Sequence, residues 1–190
     1  EVAVPGFKVI RRDRNRNGGG VAMFINDNIA FNTRPDLEVD GLEATWVELL
    51  LPKTKGILVC GCYRPPSDNT FLSKLEQSLS KLGHGAEFYV LGDINIDLSK
   101  HSSFRDKYQD ILDKCNCDQL ITEPTRVTPT TASVLDHILT NSRDKVKRAG
   151  VIEFGFSDHL AIYCSRGILR DNTQKSARIK RVRCYKNYSP

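Results

Sequence analysis

The sequence predicts an α/β sandwich built from mixed β-sheets. Apolar runs of strand length outnumber the segments with helical periodicity, and the two helical segments fall between groups of strands. Strands and helices do not alternate one by one along the chain, which argues against a regular βαβ barrel. With 190 residues the chain is one domain, or most of one, and is long enough to bury a core.

The composition is that of a soluble globular protein, with 39% hydrophobic and 27% charged residues. The longest apolar runs have strand length, so we expect no membrane span. We also expect no secretory signal. The first residue is Glu1 rather than Met, and we therefore expect the sequence to be a piece of a longer polypeptide.

Positive charge is concentrated near the two ends of the sequence. Residues 165–190 contain eight Lys or Arg against a single Asp, a net +7, which leaves −2 for the rest of a chain whose total is +5. A second basic cluster lies at residues 11–16. A polyphosphate partner would attract such clusters, but solvated surface segments have the same composition, and charge alone leaves both readings open.

The six cysteines do not form a zinc-binding pattern. They lie at Cys60, Cys62, Cys115, Cys117, Cys164 and Cys184. None has C-x-x-C spacing or a His at ligand spacing. We interpret them as reduced thiols of an intracellular protein.

The first half of the chain is predicted to be mainly strands. These lie at residues 7–10, 21–25, 42–51 and 57–63, the last two forming a hairpin. Residues 18–20 are three glycines without the Lys-Ser/Thr of a P-loop, so we expect a hairpin connection or a close approach to a neighbouring backbone. Pro65 and Pro66 end the fourth strand because they cannot donate to a ladder.

Two helices and several further strands follow. The first helix is capped by Asn69 or Thr70, runs to about Leu82, and ends before a glycine. The second is capped by Ser102 or Ser103. Its apolar face carries Phe104, Tyr108, Ile111 and Leu112. The remaining strands are predicted at residues 88–97, 120–122, 134–139, 151–154 and 160–164.

Residues 88–97 form the centre of the predicted sheet and end in polar side chains. The apolar run 88–91 stops at Gly92 and is followed by Asp93 and Asn95. Side chains two residues apart share a face in a strand, so we expect these two to point together. Such a pair suits a site in which a metal-activated water attacks a phosphate. Alternatively, Asp and Asn here are ordinary turn formers.

Other chemically capable residues lie at or beside further strand ends. Tyr63 ends one predicted strand, Asp136 lies in another, and His159 precedes the last. Each has an ordinary alternative: a rim aromatic, a turn-adjacent polar residue and a core histidine. Strand ends converge on one surface in an open sheet, however, so these groups together indicate one site.

These motifs carry a family resemblance. Residues 92–95 (Gly-Asp-Ile-Asn), 135–138 (Leu-Asp-His-Ile) and 157–159 (Ser-Asp-His) resemble, in this order, the endonuclease/exonuclease/phosphatase superfamily. The similarity is greatest to the apurinic-like endonuclease domain of non-LTR (LINE-type) retrotransposons. It extends through residues 18–22, 62–66 and 121–126 and covers about residues 5 to 165.

The resemblance implies a DNase I-like fold and a role for each site residue. The fold is a four-layer sandwich of two mixed sheets flanked by helices, here lacking its first strands. His159 is assigned to the scissile phosphate, and Asp136 would hold the other ring nitrogen of His159. Asp93 would orient or deprotonate the attacking water, and Asn95 would hold that water and a phosphate oxygen.

Two further residues and a metal complete the implied site. Tyr63 would contact the phosphate, and Asp158 would help to bind Mg²⁺, with Mn²⁺ as a substitute. Phosphodiester hydrolysis needs an activated water, positive charge near the phosphoryl oxygens and in-line positioning, and this set offers a candidate for each. The implied activity is that of a Mg²⁺-dependent DNA-nicking endonuclease.

DNA is the implied partner. The candidate contacts are Arg11, Arg12, Arg14, Arg64, Arg126, Thr130 and Thr131, some of them in the hydroxyl-rich segment 123–133. Solvent-exposed loops are the alternative reading of these segments. We expect residues 1–165 to form the domain and 166–190 to be a basic linker toward a downstream reverse transcriptase domain. The nucleus is the expected compartment.

One departure from the family pattern leaves other functions open. The family carries an Asn and a metal-binding Glu on strands that precede the start of this sequence. We therefore expect weak Mg²⁺ binding and an open sheet edge, and an inactive chain is one expectation. The alternatives are a non-catalytic nucleic-acid-binding remnant and a phosphohydrolase of the same superfamily acting on a small phosphate or a lipid headgroup.

Overall fold

The computed structural model describes residues 3–14, 18–153, 155 and 157–168. Within these residues the chain forms twelve strands and two α-helices. In chain order they are β1 (Phe7–Arg12), β2 (Val21–Asn26), β3 (Ala30–Thr33), β4 (Glu43–Leu50), β5 (Ile57–Tyr63), α1 (Phe71–Ser80), β6 (Glu87–Asp93), α2 (Ser103–Lys114), β7 (Asp118–Gln119), β8 (Arg126–Val127), β9 (Ala132–Ser133), β10 (Asp136–Thr140), β11 (Val146–Ile152) and β12 (Ala161–Arg166). None of the described helices is long and apolar enough to cross a bilayer.

A six-stranded mixed sheet forms the centre of the fold, in the order β3-β4-β5-β6-β10-β7. Strands β5 and β6 pair in parallel, and the other neighbours pair antiparallel. Two parallel neighbours need a crossover connection, and α1 lies in it. The C-terminal ends of β5 and β6 therefore lie at the same edge of the sheet.

Both helices cover one face of this sheet and bury the main hydrophobic core. Alternate residues of β4 and β6, such as Trp46 and Val90, pack there against Phe71 of α1 and Tyr108 of α2. The indole N–H of Trp46 donates to Ser78 Oγ at 3.0 Å, so this polar atom is satisfied inside the core.

Two hairpins cover the opposite face. Strands β1 and β2 form one antiparallel hairpin, and β11 and β12 form the other. The second hairpin packs through Ile162 and Val151 against Ile138 and Leu91 of the central sheet. A cleft of about 510 Å³ separates the hairpins, with β5 and β6 as its floor. The α/β sandwich is confirmed; the described part of its second sheet consists of two separate hairpins, and both described helices lie on one side.

Local signals identified several elements correctly. Helix α2 begins after Ser102, whose Oγ accepts from the backbone N–H of Arg105 at 3.1 Å, and the helix buries Tyr108, Ile111 and Leu112 as predicted. At the predicted close approach of the glycine triplet, a Cβ on Gly20 would lie 2.5 Å from the carbonyl oxygen of Arg12, and its φ is +100°.

Three strand predictions were displaced. The strand predicted for 151–154 is β11, Val146–Ile152, which starts earlier and ends earlier. The strand predicted for 120–122 pairs instead at Asp118–Gln119, because the side chain of Gln119 bonds both backbone polar groups of Ile121 and competes with the ladder. The strand predicted for 88–97 ends at Asp93, and Asn95 has a φ of +52°. A left-handed residue cannot continue a strand, so the chain turns directly after Asp93.

The folded body extends slightly past the predicted boundary at residue 165. Arg166 belongs to β12 and pairs with Glu87 of β6, with Nε 2.5 Å from Oε1. Gly167 N donates to Lys145 O at 2.9 Å. The basic segment predicted as a linker lies, from residue 169 onward, outside the described residues.

Candidate active site

Strand register places three predicted site residues in one row across the sheet. Tyr63 of β5 and Asp136 of β10 are the lateral neighbours of Asp93 of β6. Laterally paired residues point to the same face, and this row points to the face that carries the hairpins. Sequence reasoning missed Glu43, which pairs with Tyr63 and extends the row. A carboxylate at the start of a strand gives no motif signal, and only the pairing register reveals its place.

A glycine brings β6 close to β5 directly before this row. A Cβ on Gly92 would lie 1.7 Å from the carbonyl oxygen of Cys62, so no larger residue fits there. The hydrogen bond from Arg64 N to Asp93 O, 2.9 Å, continues the contact beyond the strand end. The Gly-Asp sequence therefore fixes Asp93 beside Tyr63.

His159 approaches the row from the loop before β12. Its Nδ1 lies 3.0 Å from Asp136 Oδ2, and the two side chains are 31% and 15% exposed. Among the described residues, Asp93, Asp136 and His159 form the group of metal-ligating side chains, with one ligand atom of each within 4.8 Å of the others. The three motifs of the sequence thus converge at one point.

Backbone pairing holds the His159 loop in place. His159 forms an isolated antiparallel bridge with Arg126 of β8. Val127 N donates to Asp158 O at 2.9 Å, and Leu160 N donates to Thr125 O at 2.7 Å. Strand β8 is therefore part of the wall of the site.

Asp93 is the carboxyl whose ionisation the site opposes. Its burial and then the nearby carboxylate of Asp136 raise the pKa of Asp93, while His159 and hydrogen bonds from Asn95 partly offset this. Two carboxylates at a half-buried site are an arrangement that a bound cation would relieve. A raised pKa also makes Asp93 a stronger base than an ordinary aspartate.

Asn95 reaches the site differently from the prediction. Because β6 ends at Asp93, the two side chains are not related by strand alternation. The backbone N–H of Asn95 donates to Asp93 Oδ1 at 3.1 Å, and its side-chain Nδ2 donates to Arg64 O at 2.9 Å. The prediction that the two side chains point together from one strand is wrong, because the chain turns after Asp93 and the contact is made by the backbone of Asn95.

The predicted DNA contact at Arg64 is wrong. This residue is only 4% exposed, and its guanidinium donates to the carbonyl oxygens of Asp68, Asn95 and Pro66. It also stacks on Phe104, 4.5 Å from the ring centroid. A buried cation with these partners is not available to DNA; it instead fixes the loop that carries Asn95.

The structure pairs Asp158 with an arginine. Asp158 Oδ2 lies 2.7 Å from Arg126 Nε, and both side chains are nearly half exposed. The hydrogen bond from Arg126 lowers the pKa of Asp158. Within the described residues Asp158 stands outside the group of three potential ligands, so its assignment to a metal stays a prediction.

The other predicted DNA contacts lie in two different settings. Arg11 pairs with Asp13, Arg12 with Glu38 and Arg14 with Glu43, so this basic cluster is largely neutralised within the chain. Thr130 and Thr131 are exposed in the turn between β8 and β9. Of the two settings, only the β8–β9 hairpin is bonded to the His159 loop, through β8.

The donor set at the site fits a hard divalent cation. Asp93 and Asp136 offer carboxylate oxygens, the ligands that Mg²⁺ prefers and Mn²⁺ also accepts. Repulsion between these carboxylates is one cause of the raised pKa of Asp93. The residues present therefore suit such an ion.

Several solved structures share this fold. The endonuclease domain of TRAS1, a telomere-specific non-LTR retrotransposon, is 17% identical, with a TM-score of 0.73 over 84% of this chain and 77% of that one. An endonuclease/exonuclease/phosphatase family protein of Leptotrichia buccalis is 16% identical, with a TM-score of 0.64 over 85% and 72%. A mannosyl-6-phosphatase of Bacteroides thetaiotaomicron is 15% identical, with a TM-score of 0.57 over 87% and 78%. At these identities the likeness establishes the fold.

The chain belongs to the family described as endonuclease-reverse transcriptase, whose model matches residues 57–163, more than half of the sequence. The match includes all three motifs. No curated protein matches the chain.

Proposed function

We propose that this chain is a Mg²⁺-dependent endonuclease that nicks DNA by phosphodiester hydrolysis. The observation that carries the proposal is the convergence of Asp93, Asp136 and His159 within 4.8 Å at the end of the central sheet. Membership of the endonuclease-reverse transcriptase family supports DNA as the substrate.

The Asp136–His159 contact supports the role proposed for the imidazole. Nδ1 of His159 faces the Asp136 carboxylate at 3.0 Å, and a carboxylate accepts, so Nδ1 carries the proton. Nε2 is then the ring nitrogen left to meet a phosphate oxygen. Asp136 fixes the orientation of the ring, and an imidazolium at this position would offset the negative charge that develops on the phosphoryl group.

The roles of Asp93, Asn95 and Tyr63 follow from their places around this pair. Asp93 orients the attacking water and takes its proton. Asn95 lies against Asp93 and would hold the same water and a phosphate oxygen. Tyr63, in the same row, would contact the phosphate from the β5 side.

A divalent cation belongs to the proposal. Asp93 and Asp136 would hold it, with Asp158 as a predicted further ligand. When bound, Mg²⁺ or Mn²⁺ supplies a Lewis acid that withdraws charge from the phosphoryl oxygens and lowers the pKa of a bound water.

Exposed groups of the β8–β9 turn form the proposed DNA contact. Arg126 forms a backbone bridge with His159, and Thr130 and Thr131 are exposed in the turn that follows β8. The ion pair between Arg126 and Asp158 would have to exchange for phosphate. Arg11, Arg12 and Arg14 stay candidates, although their ion pairs would have to exchange for phosphate. We further propose a reverse transcriptase domain downstream in the parent polypeptide, which the family description supports.

We propose an intracellular, nuclear location, where a DNA substrate is present. Five cysteines, Cys60, Cys62, Cys115, Cys117 and Cys164, are free thiols, which supports a reducing compartment.

The test is nicking of supercoiled plasmid DNA by the 190-residue chain, with Mg²⁺ and with EDTA. The His159→Ala variant is compared with His84→Ala, which changes an exposed histidine in the turn before β6, at the opposite end of the sheet. We expect Mg²⁺-dependent nicking by the wild-type chain and by His84→Ala. Loss at His159→Ala should be at least about 100-fold, the scale of one positioned acid–base group.

Other substrates separate the alternatives. A folded chain that binds DNA without nicking it would indicate a non-catalytic remnant. Mg²⁺-dependent hydrolysis of p-nitrophenyl phosphate without plasmid nicking would indicate a phosphohydrolase of small phosphates. Either result would overturn the endonuclease proposal.

A further inference from the structure

Thr125 differs from the other hydroxyl residues of segment 123–133. It is 0% exposed, whereas Thr130 and Thr131 in the same segment are exposed. Threonine is mostly a surface residue, and a buried hydroxyl has to be satisfied by partners. The partners of Thr125 lie at Asp136 and directly beside His159.

The side chain of Thr125 contacts the start of β10. Its Oγ1 accepts from the backbone N–H of Asp136 at 2.9 Å and from that of Leu135 at 3.0 Å. Asp136 is the first residue of β10, where the ladder with β6 begins. One hydroxyl thus receives two successive backbone donors at the residue that holds His159.

The backbone of Thr125 contacts the other member of the pair. Its carbonyl oxygen accepts from Leu160 N at 2.7 Å, one residue after His159. Its own N–H donates to Ser133 O at 2.9 Å, which anchors Thr125 to β9. Asp136 and His159 are 23 residues apart in sequence, and Thr125 is bonded beside both.

We propose that Thr125 is a positioning residue that sets the distance between Asp136 and His159. The inference rests on the proposed function, because it gives that hydrogen bond a role in the reaction. Thr125 touches no reacting atom; it acts by holding the two chain segments that carry the pair.

Removing the hydroxyl leaves two buried backbone donors without their acceptor. Leu135 is buried and Asp136 is half-buried, so water replaces the lost acceptor poorly. The start of β10 then shifts relative to the His159 loop. A displacement of about 1 Å in a catalytic group costs on the order of 100-fold in rate. The effect is expected in kcat, since the DNA-contacting groups keep their places.

The test compares three variants of the 190-residue chain. Thr125→Val keeps the shape and deletes the hydroxyl, and Thr125→Ser keeps the hydroxyl. Thr140→Val is the matched control: Thr140 is also 0% exposed, lies at the other end of β10, and its hydroxyl donates to Phe88 O and accepts from Ser142 N. It reports the cost of deleting a buried hydroxyl from this strand away from the site.

In plasmid nicking we expect Thr125→Val to lower kcat by roughly 10- to 100-fold, with KM within about threefold of wild type. Thr125→Ser and Thr140→Val should retain kcat within about threefold, measured per folded molecule. Equal losses at Thr125→Val and Thr140→Val, or no rescue by Thr125→Ser, would overturn the proposal.

A spectroscopic measurement tests the same inference without activity. In ¹⁵N-labelled protein the Nδ1–H resonance of His159, assigned by its absence in His159→Ala, reports the bond to Asp136. We expect Thr125→Val to shift or broaden it, and Thr125→Ser and Thr140→Val to leave it unchanged. An unchanged resonance in folded Thr125→Val would refute the positioning role, even if the wild-type chain fails to nick DNA and the endonuclease proposal falls.

Discussion

The two ends of strand β6 carry carboxyl groups in opposite electrostatic situations. Glu87, at the start, is paired with Arg166 and Lys145, whose nitrogens lie 2.5 and 2.7 Å from its oxygens. Burial opposes the ionisation of Glu87, but hydrogen bonds from these two cations outweigh it and lower its pKa from 4.5 to about 2. At the other end, burial and the carboxylate of Asp136 raise the pKa of Asp93.

The opposite pKa shifts indicate different roles: Glu87 stabilises the fold, whereas Asp93 is suited to catalysis. Glu87 finds its countercharges within the chain and fastens β12 and the segment before β11 to the central sheet. Asp93 is placed beside a second carboxylate, and His159 and hydrogen bonds from Asn95 offset this repulsion only in part. A protein retains such an unfavourable placement where function needs it.

The largest expected effect is on activity, at Asp93. On the proposed function, Asp93→Asn should lower the plasmid nicking rate by roughly 1,000-fold, because the group that takes the proton of water is lost. A raised folded-state pKa means that folding is opposed by ionisation, so stability falls as pH rises through that pKa. The variant should thus be at least as stable as wild type in urea at pH 7.

A variant that nicks normally would exclude Asp93 as the base. If Asp93→Asn were clearly less stable than wild type, the claim that ionisation of Asp93 opposes folding would be contradicted.

The second effect is on stability, at Glu87. Glu87→Gln should lower the free energy of unfolding at pH 7 by about 3 kcal/mol, the scale for removing one partner of a buried ion pair. Urea unfolding measures it, with Glu123→Gln as an exposed control. The nicking rate per folded molecule should not change. If the nicking rate per folded molecule fell together with the stability, the two ends of β6 would not be independent.

The third prediction concerns pH. Because the pKa of Glu87 is lowered from 4.5 to about 2, its stabilisation is fully present above pH 4.5 and is lost as pH falls toward 2. The difference in unfolding free energy between wild type and Glu87→Gln should therefore shrink over this window. Urea unfolding at pH 6, 4 and 3 tests it, and a constant difference would mean that ionisation of Glu87 is not its source.

The smallest expected effect is the difference in stability between removing Lys145 and removing Arg166, the two cations paired with Glu87. The Lys145 side chain is 41% exposed and that of Arg166 is 17% exposed and makes two bonds to Glu87. Lys145→Met should cost about 1 kcal/mol, the scale of a partly exposed pair, and Arg166→Met should cost more. Urea unfolding ranks them, and the reverse order would show that burial does not set their strength.

Local sequence signals were enough for much of the fold and for the group formed by Asp93, Asp136 and His159. Helix α2 with its cap at Ser102, the apolar face of that helix, and the backbone approach at Gly20 all depend on neighbours within a few residues. The three motifs also met at one sheet edge as predicted. Each of these motifs lies at or beside a strand end, and strand ends meet at the same surface of a sheet. The positions of the motifs along the chain therefore predict that their residues share one site.

Long-range pairing decided what local signals could not. Arg64, in a motif that suggested DNA contact, is buried because carbonyl oxygens as far away as Asn95, 31 residues along, surround its guanidinium. The partners of Glu87 lie 58 and 79 residues away. Nothing in the local sequence distinguishes an arginine that meets a phosphate from one that meets a carbonyl.

The sequence by itself determined which residue types reach the site and in which elements they lie, since periodicity, capping and close-packing glycines are local properties. Only the tertiary structure decided which charges are neutralised inside the chain, such as Glu87 and Asp158, and which are left facing one another, as at Asp93 and Asp136. The physical reason is that charge interactions depend on distance and burial, and both are set by contacts between residues far apart in sequence.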